Sequence, residues 1–397
     1  MTIAERGVAI VGGGISGLAL AFELRRRSSD TPVIVLERQY TGSGDSSRNV
    51  GRIRAMQLTP ELTAFAIAAQ RKHERLSDDL RSNTLFWRSG YAWVLYEDDE
   101  LERMQSLLPM FRGLGMRAPK VRTGAALRRA LPVLDGGEPP VGAMIGHDAI
   151  GHHDAVLYAY RRACERLGVE IREGETVREV MGDADRVTGV RTDSGPWNAD
   201  VVVNAAGGWA NELSTMAGVR IPNVCLRREV FVTEPMQPFM RPAITFYRPA
   251  EGWFNQTLRG ELVAGATDHG EQPGLNRSSS FRFLERTSDI LLAKAPRLGA
   301  LRVIRQWAGV YDITPDRLPL VGPVATRPGF VQMNGYSGRG FMQAPHVAEL
   351  LARWLLSGEA PSELAAFDPD RFEGVVGSDE ASLTTDYYSG YAQPTSD

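Results

Sequence analysis

Residues 7–27, GVAIVGGGISGLALAFELRRR, restrict this chain more than any other stretch. A short apolar run ends in Gly12, Gly14 and Gly17 and passes into apolar residues at helical spacing. "PVIVLER" follows, a second buried strand ending in Glu37, 20 residues after Gly17. Strand, G-x-G-x-x-G, helix, strand and acid together form a dinucleotide-binding fingerprint. Gly12 permits the tight turn, Gly14 lets backbone approach a pyrophosphate, and Gly17 lets helix and strand pack closely. The helix start, with Ile15 and Ser16, then faces the phosphates, and Glu37, followed by Arg38, can accept from the adenosine ribose. The motif does not distinguish NAD from FAD.

A chain of 397 residues predicts two or three structural units. The formal net charge of −3 gives no reason to expect nucleic acid or an anionic membrane as partner. Cys164 and Cys225 match no CxxC or zinc spacing, so neither a metal site nor a structural disulfide is expected, and a reducing, cytoplasmic setting is. No apolar run approaches the roughly 18 residues that a membrane span needs. The first apolar segment is not expected to be a secretory leader, because glycines interrupt it and Glu5 precedes it.

Nucleotide-domain elements recur in 1–85, 147–222 and 326–373, with strand-rich sequence between them at 86–146 and 223–325. This interleaving predicts an α/β, Rossmann-like domain into which an α+β, mainly antiparallel β-sheet substrate domain is inserted twice. Residues 374–397 read as a polar tail. In detail, a helix is expected from about Pro60 to Arg81, paired strands in LFWRSGYAWVLYED, and a helix capped by Asp154. A second glycine-rich turn, NGYSGRGFMQAP, leads into a C-terminal helix, with Pro345 expected in its first turn.

The order of these motifs resembles the flavin-dependent D-amino acid oxidase superfamily, in its glycine oxidase and sarcosine oxidase branch. The residues that carry the likeness are IVGGGISGLALAFEL, VVVNAAGGWANEL, WAGVYDITPDRLPLVGPV, GFVQMNGYSGRGFMQAP and FDPDRF. The resemblance implies bound FAD and a small amino acid or amine as substrate, oxidised at its C–N bond by hydride transfer. It implies that Ser46, Ser47 and Arg48 run along the cofactor and that Val177, Ala206, Gly207 and Trp209 also contact it. It also implies that Gly335, Gly338, Arg339, Gly340, Phe341 and Met342 lie beside the flavin ring, where the helix dipole stabilises negative charge on the reduced form.

Arg54 falls where the family's carboxylate-binding arginine sits, Tyr311 is expected beside the reacting centre, and Arg339 is expected to assist the carboxylate. Some relatives tether FAD through a cysteine just before the position of Tyr311. Here Gly309 and Val310 stand nearby, which implies non-covalent FAD. Met342 replaces a lysine, and Val263 replaces the family's oxygen-activating lysine, which keeps a dehydrogenase with another acceptor open beside an oxidase. "GHHDAVLYAYRRACERLGV" resembles the β subunit of heteromeric sarcosine oxidase. That likeness places His153 where a second flavin, FMN, is covalently attached. The alternative it implies is a flavin-bearing subunit that passes electrons to a partner subunit rather than directly to oxygen. A pyridine-nucleotide-dependent reductase fits poorly, because a second GxGxxG and a redox CxxC are both lacking.

Overall fold

A computed structural model describes residues 6–117 and 119–372, so the expected tail at 374–397 lies outside the described residues. The chain's longest-range order is a six-stranded sheet. Its strands run, edge to edge, Leu320–Pro323, Phe330–Asn334, Val201–Asn204, Val8–Val11, Val33–Glu37 and Glu170–Glu173. All neighbours pair in parallel except the first two, which are antiparallel. The central strands read as unbroken apolar runs because both faces are covered. Val8, Ile10, Val201 and Val203 face a cluster with the helices Ile15–Arg27, His153–Arg166 and Gly340–Ser357, while Ala9 and Val202 face a second cluster on the other side.

Helix Pro60–Asp79 joins the first of these layers, with Thr59 Oγ1 accepting from Leu62 N–H as its N-cap. Its Lys72 is buried, and Nζ lies 2.7 Å from Glu23, 3.0 Å from Asp79 and 3.3 Å from Glu349. One desolvated ammonium therefore ties three helices together; removing it would strip the fully buried Glu23 Oε1 of its cation and leave that carboxylate only Arg26 and Arg27 on Oε2.

Pro345 is the sixth residue of helix Gly340–Ser357, not in its first turn as expected. A proline there deprives the Phe341 carbonyl of its intrahelical donor. His73 supplies the replacement: its Nε2–H donates to Phe341 O at 3.0 Å, and its ring is buried. The tertiary contact is what allows the proline.

The second sheet has eight strands, ordered Val303–Ile313, Val224–Pro235, Glu261–Ala266, Gly252–Gln256, Ala243–Phe246, Tyr91–Leu95, Gly142–Gly146 and Lys120–Arg122. Its strands come from 91–146 and 224–313, and the two sequence blocks meet where Ala243–Phe246 pairs with Tyr91–Leu95, its one parallel step. LFWRSGYAWVLYED is not a strand pair: only Tyr91–Leu95 forms a strand, and it pairs with Gly142–Gly146. The apolar alternation gave no partner, and the distant strand supplied it. Helix His153–Arg166 is preceded by His152 as N-cap, so Asp154 sits inside its first turn. A capping aspartate and a first-turn aspartate look alike in sequence, since both favour a helix start.

Burial lowers the His73 pKa from 6.5 to about 4, so the folded protein keeps the ring neutral. Between these values the unfolded chain binds the extra proton, so stability falls as pH drops from about 6.5 toward 4. His73→Gln keeps a donor and removes the titration. Thermal melts at pH 7.5 and pH 5 should show a larger loss for the wild type than for His73→Gln. His73→Leu should cost about 1–3 kcal/mol at pH 7.5 by orphaning the carbonyl. Equal losses with pH in wild type and His73→Gln would contradict this account.

Candidate cofactor and substrate cleft

Strands Val8–Val11, Val201–Asn204 and Phe330–Asn334 are adjacent and parallel, so their carboxyl ends open on one edge of the sheet. Each runs into a turn of small residues, and all three turns line one cleft, through Gly12 and Gly14, Ala206 and Gly207, and Gly338 and Gly340. Such an edge is where open α/β sheets bind ligands. The two glycine-rich turns, at opposite ends of the sequence, serve the same cleft.

Gly17 does not line it. A Cβ there would stand 2.0 Å from Gly12 O, so its task is the close approach of helix to turn. At Gly338, φ is +83° and a Cβ would stand 2.3 Å from Tyr311 Cε2, so the Tyr311 ring packs directly on the second turn. Gly335 also lies off the cleft wall: its N–H donates to Asp312 Oδ2 at 2.7 Å, and it packs against Thr314 and Leu320. The expectation that Gly335 opens a path to the ring is therefore corrected; it shapes the turn from behind. Ser47 is likewise outside the lining.

The nucleotide half contains Ile15, Ser16, Glu37, Arg38, Ser46, Arg48, Val177 and Trp209. Glu37 Oε2 accepts from Gly13 N–H at 2.8 Å, and Oε1 accepts from Gln39 N–H and Ser43 Oγ. Three protein donors fix a carboxylate that can accept about four hydrogen bonds, so capacity remains for a ribose hydroxyl. Ser46 Oγ accepts from Ile15 N–H at 3.0 Å and pins the polar loop to the helix start. Arg48 Nη1 donates to Ala308 O, while its Nε is buried with no protein partner among the described residues. The acid, the helix start and this orphaned donor fit an extended, phosphate-bearing dinucleotide. Sequence reasoning missed Arg277, which reaches over from the second sheet's loops. It donates to Ser43 O, and its guanidinium and that of Arg38 lie 4.8 and 3.9 Å from the Trp209 ring centroids.

At the other end stand Arg52, Arg54, Tyr91, Arg228, Tyr247, Trp253, Tyr311, Arg317, Arg339, Phe341 and Met342. Trp307 is outside the lining, with Nε1 donating to Arg48 O at 2.9 Å. Arg52 donates from Nε to Asn255 Oδ1, from Nη1 to Thr245 Oγ1 and from Nη2 to Ile244 O, at 3.1, 2.7 and 3.0 Å. Those acceptors are all neutral oxygens, and the guanidinium also lies over Tyr91 and Trp253. Burial, with the neighbouring Arg54 charge adding to it, lowers the Arg52 pKa. Arg54 lies over Tyr91 and Trp93 and acts on the buried Asp148, whose pKa burial raises against the Ala55 N–H and the Arg54 charge. Both arginines thus reach the cleft, and Arg52, which the family pattern did not single out, is the one braced by neutral groups.

Asp312 was not anticipated either, although it directly follows Tyr311. Burial pushes its carboxyl up to about 7, opposed by the Gly335 N–H and reinforced by the charge of Asp45. Val263 is buried in its strand and does not line the cleft; Ala266 and Thr267, at the strand's end, do. No lysine lines the cleft among the described residues. His153 is outside it, with its ring stacked on His152 at 5.3 Å. Burial lowers the His153 pKa to about 4. The described residues contain no cluster suited to a metal ion, and no described helix is long and apolar enough to cross a membrane.

Comparison with known proteins agrees with this geometry. A family model described as "FAD dependent oxidoreductase" (DAO) matches residues 7–354. The chain is 30% identical over 374 residues to sarcosine oxidase subunit beta of Rhizobium meliloti (strain 1021), covering 92% of this chain and 88% of that protein. It superposes on L-proline dehydrogenase from P. horikoshii with a TM-score of 0.87 at 26% identity, covering 94% and 99% of the two chains. Glycine oxidase from Geobacillus kaustophilus shares the fold, with a TM-score of 0.83 at 23% identity over 92% and 98%. A sheet edge carrying two glycine cradles, matched over nearly its whole length by one family, makes this chain a member of the DAO family of FAD-dependent oxidoreductases.

Proposed function

We propose that this protein oxidises the CH–NH bond of a small amino acid, secondary or N-methylated, to the imine. The observation that carries the reading is Arg52, a buried guanidinium braced by neutral oxygens inside the cleft that holds both glycine turns. A cation in that setting favours an anion brought by the ligand, and a guanidinium fork matches a carboxylate. Bound FAD supplies the two-electron acceptor that takes the hydride. The chain's own residues position the reactants. Arg52 and Arg54 hold the carboxylate, and Tyr91, Tyr247 and Trp253 wall the amine from water. The first turn of helix Gly340–Ser357 presents its positive end to the cleft, where it stabilises negative charge on the reduced cofactor. Most of the rate then comes from orientation, and little acid–base apparatus is needed.

A second reading, in which the chain is the flavin-bearing subunit of a heteromeric complex, is supported by its relatives. Sarcosine oxidase subunit beta from Rhizobium meliloti and from Arthrobacter sp are 30% and 27% identical to it. In that reading His153, at the front of its helix and outside the FAD cleft, is the attachment point for a second flavin. Co-expression with operon neighbours would then give one larger particle on size-exclusion, carrying a flavin that stays bound on a denaturing gel and is lost in His153→Ala.

Purified protein should release FAD on denaturation, and anaerobic mixing with sarcosine, proline or glycine should bleach the flavin absorbance for at least one of them. No bleaching across a broad amine panel would overturn the proposed reaction. Arg52→Gln should lower kcat/KM by roughly 10–100-fold, the loss of a charge-assisted carboxylate contact, while FAD content stays unchanged. Parallel assays with oxygen and an artificial dye would assign the acceptor, and faster turnover with the dye is expected because no lysine lines the described cleft.

A further inference from the structure

Two acids, Asp45 and Asp312, stand in the wall of a cleft whose cofactor gains negative charge on reduction. We propose that Asp312 holds a proton in the working enzyme, so that the carboxyl behind the second glycine turn is a neutral acid and not a second negative charge beside Asp45. The cofactor can then be reduced without meeting two carboxylates. This rests on the cleft holding FAD and is independent of which amine is oxidised.

Strand Val303–Ile313 is an edge strand of the second sheet, and its residues Gly309 to Asp312 line the cleft. Three alternate residues on its free side are tied to the nucleotide domain. Ala308 O accepts from Arg48 Nη1, Val310 N–H donates to Asp45 Oδ1 at 2.9 Å, and Asp312 O accepts from Ser337 N–H at 3.1 Å. The Asp312 carboxyl turns back to the same second turn, where Oδ2 accepts from Gly335 N–H at 2.7 Å. Both acids therefore sit along one strand edge, and the charge of Asp45 acts on Asp312. Bringing two carboxylates together favours one shared proton.

The two differ in what answers their charge. The guanidiniums of Arg277, Arg48 and Arg38 act on Asp45 and favour its ionised form. Asp312 forms no ion pair among the described residues. Opposite it on strand Val224–Pro235 is Cys225, whose thiol burial pushes up to about 12, with Asp312, Asp45 and Glu212 adding to the shift. From the second turn it meets Tyr336, whose hydroxyl burial also keeps protonated. Neither neighbour supplies positive charge. The N–H groups of Gly335, Tyr336 and Asp312 itself favour the carboxylate, while burial and Asp45 favour the acid, and the balance falls at about 7. A dinucleotide in the cleft covers these groups further and adds the charge of its phosphates, and both effects favour the proton. A carboxyl held neutral in this way donates a hydrogen bond where a carboxylate would repel negative charge.

The test uses the FAD-loaded protein, reduced with dithionite against a reference dye, so that no amine enters it. Infrared spectra of the wild type at pH 7 should contain a protonated-carboxyl band that is missing from Asp312→Asn and lost from the wild type by pH 9. Asp312→Asn keeps an oxygen for Gly335 N–H and mimics the neutral acid at every pH. The dye equilibrium should therefore match in the two proteins at pH 6. At pH 9 it should favour reduction by about 10-fold or more in the variant, the effect of one removed charge nearby. Asp45→Asn should move loss of the band about one unit lower in pH, because the neighbouring charge is gone. If Asp312→Asn does not retain FAD, the wild-type band and its shift in Asp45→Asn decide the matter. No such band at pH 7, a band that persists in Asp312→Asn or does not shift in Asp45→Asn, or the same pH dependence of the dye equilibrium in wild type and Asp312→Asn would overturn the proposal. Amine bleaching of the flavin is unaffected by any of these outcomes, so the proposed reaction stands or falls separately.

Discussion

The parallel pairing of Val8–Val11, Val201–Asn204 and Phe330–Asn334 is the constraint on which the rest depends. Parallel strands place their carboxyl ends on one edge, so three turns distant in sequence become three walls of one cleft. Each wall is built from small residues because backbone, rather than side chain, must approach the ligand. The helices that follow the outer two, Ile15–Arg27 and Gly340–Ser357, both present their starts to that edge. Unpaired N–H groups and helix dipoles then favour negative charge at two places along one molecule.

The second sheet supplies what the first cannot. Its residues Thr245, Ile244 and Asn255 accept from Arg52, which lies in the short strand Arg52–Ile53. Oriented neutral oxygens hold the guanidinium still without cancelling its charge. A carboxylate in their place would have neutralised it and left little reason for an anionic ligand to bind. The same economy is visible at Tyr311, which packs on Gly338 on one side and carries Arg228 on the other. A single aromatic ring thus couples the cofactor turn to the basic wall.

Buried polar groups away from the cleft follow the same logic of mutual satisfaction. Lys72 compensates Glu23, Asp79 and Glu349, and His73 repairs the carbonyl that Pro345 orphans. Both lie on helix Pro60–Asp79, which thereby fastens the C-terminal helix whose start faces the cleft. The orientation of that start is secured by contacts on its far side.

Local sequence determined the nucleotide half. Gly12, Gly14 and Gly17 between two apolar strands, with Glu37 at the second strand's end, admit few other structures, because turn geometry and close packing act over a few residues. The likeness at Gly338 and Gly340 extended this to the second turn. Tertiary structure alone decided the rest. Gly335, Ser47 and Val263 fell off the cleft wall, and the strand at Tyr91 found its partners at Gly142 and Ala243. Arg277 entered the cleft without a motif to announce it, and Asp312, inside a recognised motif, entered it without an assigned role. Whether an arginine is a solvated charge or a desolvated anion receptor depends on which distant oxygens and rings surround it. Those neighbours are chosen by the packing of two sheets, and no spacing along the chain records them.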